Sequence, residues 1–157
     1  MHTKAERVQG FLTALGEAGR VRELPDSTRS AAEAAQAIGT TVAQIAKSLV
    51  FTVDDAVLLV IASGVNRVDL ARLAELAGGT VTRPDAKTVK ALTGYSIGGV
   101  PPIGYETQPR SVVDEDLLAY DTVWAAAGTP NAVFPIATGR LVEVTGAAVG
   151  RVADRTA

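Results

Sequence analysis

Two apolar runs joined by a single turn decide most of what this chain can fold into. Ile45 to Val53 is rich in β-branched residues, Ala56 to Ala62 is apolar throughout, and only Asp54-Asp55 stands between them. That pattern predicts a β-hairpin. Neither run alternates cleanly, so both strands are expected to be central in their sheet. Before the hairpin, Val8, Phe11, Leu12 and Leu15 recur at helical spacing and predict an amphipathic helix ending near Gly16 or Gly19. Val21 to Leu24 predicts a short strand. Ser30 with Glu33 forms a capping box for a helix that Gly39 closes, and Thr41 with Gln44 forms a second box for a shorter turn. After the hairpin, Asp69 is placed to cap a helix carrying Leu70, Leu73 and Leu76, and Asp85 to cap another through Leu92. Further on, Asp114 to Leu118 predicts a short helix. Thr122 to Ala126, Ala132 to Ile136 and Gly146 to Val152 predict strands, with a turn at Ala127 to Asn131.

At 157 residues the chain is expected to form one domain over 1–157, with no internal repeat or linker. Aromatic residues make up only 4%, so the core must be aliphatic. The formal net charge of -2 gives no global attraction for nucleic acid and argues against a protein that coats duplex DNA. There is no cysteine, and the one histidine, His2, lies at a terminus expected to fray. Cysteine hydrolysis, the Ser-His-Asp relay and structural or histidine-bound zinc therefore lack their parts. The longest apolar run, Ala56 to Ala62, is far short of the roughly 20 residues a spanning helix needs, and no apolar signal core opens the chain. A cytoplasmic protein without membrane contact is the expectation.

Lys47 is the first candidate for chemistry. In a strand it shares a face with Leu49 and Phe51 while Ser48 points the other way, which places an ammonium among apolar neighbours. A partly buried ammonium is costly unless it meets a phosphate, a carboxylate or a developing oxyanion. An edge strand with Lys47 reaching out to water explains the same sequence. A Lys47–Ser48 dyad is disfavoured by the alternation. The second candidate is the loop from Gly94 to Gly104, where Gly98-Gly99 permit close approach of a ligand and Pro101-Pro102 stiffen the backbone after them. It fits neither the dinucleotide nor the phosphate-loop pattern, so no nucleotide cofactor is implied, and a tight structural crossover accounts for its spacing equally well. Asp54-Asp55 and Asp114-Glu115-Asp116 are explained by a hairpin tip and a helix first turn before any metal is invoked. Arg67 and Arg72 flank a helix start, where solvated surface is the ordinary reading.

Four segments taken together carry a resemblance. IAKSLVF (45–51), GVNRVDLARL (64–73), TGYSIGGVPPIG (93–104) and AAAGTPN (125–131) are similar, in this order, to the YbaK/ProX family of aminoacyl-tRNA deacylases, relatives of the editing insertion of bacterial prolyl-tRNA synthetases. The resemblance implies a mixed α/β fold with a curved central β-sheet wrapped by helices. It implies hydrolysis of the ester joining a wrong amino acid to the 3′ end of a transfer RNA, with no cofactor. By position, Lys47 matches the family's essential lysine. Gly98, Gly99, Val100 and Pro101 match the loop whose backbone contacts the aminoacyl carbonyl, and Gly128 and Asn131 match the turn lining the pocket. The implied partners are the aminoacyl end of a tRNA and a synthetase such as prolyl-tRNA synthetase. A branch that clears alanyl esters carries a histidine in the region of Gly128 to Phe134, and this chain has none there. The alternative is a non-catalytic module of the same fold that binds an aminoacyl end or a synthetase.

Overall fold

The computed structural model describes residues 1–25 and 30–155. The hairpin forms as the sequence predicts. Strand β2 (Ile45–Val53) runs antiparallel to β3 (Ala56–Ser63), with Val53 opposite Ala56. Asp54 and Asp55 close the turn with φ of 49° and 69°, the left-handed pair that a two-residue hairpin demands and that Asp tolerates better than most residues.

The hairpin is the middle of a mixed eight-stranded sheet. The remaining strands are β1 (Arg22–Glu23), β4 (Val81–Thr82), β5 (Arg110–Asp114), β6 (Thr122–Ala126), β7 (Ala132–Ala137) and β8 (Ala148–Gly150). Their order is β1-β7-β6-β2-β3-β5-β8, with β4 placed beside β2 off this path. The described residues also form five α-helices: α1 (Thr3–Ala14), α2 (Ala31–Ile38), α3 (Leu70–Ala77), α4 (Ala86–Thr93) and α5 (Thr138–Thr145). Caps fix most of their ends. Ser30, Asp69 and Asp85 accept from backbone N–H groups at the starts of α2, α3 and α4, and Gly39, Gly78 and Gly94 end the same helices in the left-handed conformation. Among the described residues no helix is long and apolar enough to cross a membrane.

Helices cover both faces of the sheet. On one, α1 (Ala5, Val8, Leu12), α4 (Val89) and α5 (Leu141) pack with Ala46, Val50, Leu59 and Ile61. On the other, α3 (Leu73, Ala77) packs with Phe51, Val53, Leu58 and Val60, while α2 (Ala34, Ala35) packs with Ile45 and Val133. The apolar side chains of β2 therefore divide by parity, as a strand requires.

Several expectations need correction. Arg110–Asp114 is a strand, and Asp114 is both its last residue and the cap of a 3₁₀ turn over Glu115–Ala119, so the predicted short helix is present one residue later and as 3₁₀ rather than α. Helix α5 is not predicted by the sequence pattern. The helix capped by Asp69 carries Leu70, Leu73 and Leu76 as expected, with Leu73 buried and Leu70 and Leu76 exposed. Thr41 does not cap its turn; its hydroxyl and that of Thr40 both donate to Gln44 Oε1.

Candidate functional site

The sheet is not continuous around β2. Strand β6 pairs with it in parallel only at Ile45 and Ala46, and β4 pairs antiparallel only at Thr52 and Val53. Lys47 to Phe51 thus have β3 on one side and, among the described residues, no strand on the other. At this split lies a cavity of about 280 Å³ lined by every residue from Ile45 to Val50. Its walls come from both faces. Ala31, Ala34, Trp124 and Arg83 contribute from the side of α2 and α3, and Val89, Gly98, Val100 and Ala125 from the side of α1 and α4.

Lys47 is half-buried at this slot, its Nζ donating to the backbone oxygen of Asn66 at 2.7 Å. That acceptor is itself held. Asn66 Nδ2 donates to Asp114 Oδ2 and to Asp116 Oδ2, both at 2.8 Å, and the fully buried Asp114 also accepts from the backbone N–H groups of Ser63 and Asp116. Burial, then the nearby Arg83 guanidinium, push the Lys47 amine below the ordinary lysine value, and Asp114 pulls it partly back. Alternation sends Lys47 and Ser48 to opposite faces, and both reach the cavity because it opens through the sheet.

Two further cations stand near the α2 side of the slot. Arg83 is exposed with its guanidinium over the Phe51 ring, 5.7 Å from the centroid, and Arg22 lies 5.4 Å from the centroid of Trp124. No ion pair among the described residues engages Lys47, Arg83 or Arg22. A net charge of -2 therefore coexists with a locally basic mouth.

Of the candidates read from sequence, the structure brings Lys47, Gly98 and Val100 to one cavity. The other four are not among its lining residues. Gly99 packs so closely on Thr129 that a Cβ would stand 2.8 Å from Thr129 Cα, and its amide is spent on Ser96 O. The buried Pro101 accepts from the Tyr105 hydroxyl. Gly128 (φ 94°) passes against the main chain of Lys4. Asn131 accepts from Thr129 Oγ1 and donates to Leu24 O. Together they fix the loop and turn that close one side of the slot, with Ile97 59% exposed at its rim.

Arg83, Trp124, Pro130 and Ser48 also line the cavity, and the sequence pattern assigns none of them a role in binding. Arg83 follows a two-residue strand too short to read, so nothing local marks it. His2 stands apart, accepting from Lys4 N at the start of α1.

A slot through a sheet, with a tethered lysine on one face and a glycine-braced apolar loop on the other, has the size and the local charge that suit a small group with an anionic or polarised end. Comparison with known proteins names the class. The chain matches the aminoacyl-tRNA editing domain over residues 25–144 and belongs to that family. It is 32% identical over 124 residues to the uncharacterised protein YwhH of Bacillus subtilis (strain 168), covering 78% of this chain and 79% of that one. It is 31% identical over 127 residues to EbsC of Enterococcus faecalis, described as a candidate Cys-tRNA(Pro)/Cys-tRNA(Cys) deacylase, covering 74% and 77%. A crystal structure described as a candidate trans-editing enzyme for prolyl-tRNA synthetase superposes with a TM-score of 0.94 at 46% identity, covering 98% of this chain and 99% of that one.

Proposed function

We infer that the protein removes a wrongly attached amino acid from a transfer RNA by hydrolysing the ester at its 3′ end, acting in trans in the cytoplasm. The observation that carries this reading is the half-buried Lys47 ammonium at a slot shared with Gly98 and Val100. One carbonyl tethers that ammonium and leaves it protons for a substrate oxygen. Lys47 is the catalytic residue of this scheme; Gly98 and Val100 line the substrate's site, and Gly99, Pro101, Gly128 and Asn131 set its shape. Arg83 adds a second positive charge where a phosphate of the terminal nucleotide arrives.

The chemistry needs no protein nucleophile. A water molecule, oriented by the ribose hydroxyl beside the ester, attacks the acyl carbon. The resulting oxyanion is stabilised by fixed positive charge, the bond from the acyl carbon to the ribose oxygen breaks, and that oxygen takes up the proton the water gives away. The products are a free amino acid and an intact tRNA end. Because the ester is already activated, positioning and electrostatics suffice.

The acidic chain as a whole favours recruitment of tRNA through a partner, for which a synthetase such as prolyl-tRNA synthetase is the natural candidate. A panel of mischarged tRNAs tests the reading. Release of amino acid from at least one member is expected. Binding without release from any member would make the protein a non-catalytic module instead.

A further inference from the structure

The split in the sheet leaves main-chain groups of β2 facing the cavity, and their parity can be assigned. Ile45 O accepts from Gly64 N, and Val53 faces Ala56 across the two-residue turn, so the odd-numbered residues of β2 direct their N–H and C=O toward β3. The even-numbered ones point the other way. Ala46 spends these groups toward β6 and Thr52 toward β4. Ser48 and Val50 have neither strand opposite them, and both line the cavity. Val50 is buried and Ser48 half-buried, so a main-chain N–H and C=O with no strand opposite lack the ladder partners that such groups in a sheet usually find. Ser48 is deficient a second time, because its Oγ is buried and has no hydrogen-bond partner among the described residues.

An aminoacyl group carries a donor nitrogen and an acceptor carbonyl on the same carbon, as one residue of a strand does. We propose that the aminoacyl moiety binds by pairing with Ser48 as a one-residue strand, its α-amino group donating to Ser48 O and its ester carbonyl accepting from Ser48 N–H. This rests on the aminoacyl-ester reading above and deepens it. In an antiparallel pair, opposite residues place their side chains on the same face. The amino-acid side chain of an L-substrate then enters the face of Val50, Val100 and Ala125, beside Ser48 Oγ. The group attached beyond the carbonyl, here the ribose, turns to the opposite face, where Lys47 and Arg83 lie. One docking mode thus sends the apolar part to the apolar wall and the nucleotide to the cations. A D-amino acid in the same pairing would direct its side chain at Lys47 and lose this match.

The probe is 3′-(L-alanylamino)-3′-deoxyadenosine, which cannot be hydrolysed as an ester and whose methyl is the common core of larger side chains. Amide hydrogen exchange is followed by NMR on the whole protein, free and saturated. Ser48 N–H is expected to exchange rapidly when free and to slow by about tenfold or more when bound, the worth of one net hydrogen bond. Leu49, already in the β3 ladder, should not change, and the D-alanyl compound should bind about tenfold more weakly or worse. Binding that perturbs Gly98 to Val100 while leaving Ser48 exchange unaltered, or equal affinity for the two enantiomers, overturns the strand-pairing mode alone. No binding of the L-compound at millimolar concentration overturns the underlying ester reading as well.

Discussion

Replacing Gly99 by alanine probes how the slot is held open. The added Cβ would stand 2.8 Å from Thr129 Cα, 2.9 Å from its carbonyl carbon and 3.0 Å from its nitrogen. These are main-chain atoms, so no side-chain rotation relieves the clash. The loop and the Ala127 to Asn131 turn must separate by roughly half an ångström to reach ordinary contact, a strain typical of overpacked sites at about 1–3 kcal/mol. At about 2–4 °C per kcal/mol for chains of this size, the melting temperature should fall by about 2–12 °C. Gly98 and Val100 move with the loop while Lys47, on β2, stays. Displacement of reacting groups by about an ångström costs on the order of a hundredfold, so deacylation should drop by about ten- to a hundredfold, mostly in kcat. The assay is single-turnover release from a mischarged tRNA alongside a thermal melt. Full activity with an unchanged melting temperature would refute the packing argument, and loss of stability without loss of activity would detach this loop from catalysis.

Gly10 lies inside α1, and a Cβ added there would meet nothing within 4 Å, so Gly10→Ala should stabilise by about 0.5–1 kcal/mol, read as a higher melting temperature. The Lys47 amine is depressed by burial and by Arg83 and supported by Asp114, so activity that needs its protonated form should fall on the alkaline side below the ordinary lysine value. Arg83→Gln removes one depressing charge and should shift that limb to higher pH. The substrate's own amine is common to both profiles, so the difference reports on the enzyme. An unshifted limb, after subtraction of hydroxide-driven hydrolysis, would show that Lys47 does not titrate in the rate.

Legibility of the fold in the sequence tracks the range of the forces involved. The hairpin, the caps at Ser30, Asp69 and Asp85 and the ordered Gly94 to Gly104 loop are written in neighbours a few residues apart, and the structure shows them. Helix α5 is not, because its sequence TGRLVEVT holds two threonines, two valines and a glycine, all of which helices disfavour. Burial of Leu141 and Thr145 holds it in place instead. Strand β4 is two residues long and exists through its pairing with Thr52 and Val53. The same holds for the site. Lys47 stands out because an ammonium among apolar residues is locally anomalous, and Gly98-Gly99 because paired glycines are. The opening beside β2 is absent from any local pattern, since its two edges arrive from Val81–Thr82 and Thr122–Ala126. Arg83 and the stretch of β2 at Ser48 that neither β4 nor β6 reaches gain meaning only once those strands are placed.

Lys47 bears the central claim, and its removal is the decisive measurement. With the tRNA that wild type deacylates fastest, single-turnover release by Lys47→Ala should be slower by about a hundredfold or more, the usual cost of deleting a fixed charge at a developing oxyanion, with an unaltered circular-dichroism spectrum. Release by the folded variant at the wild-type rate would contradict it.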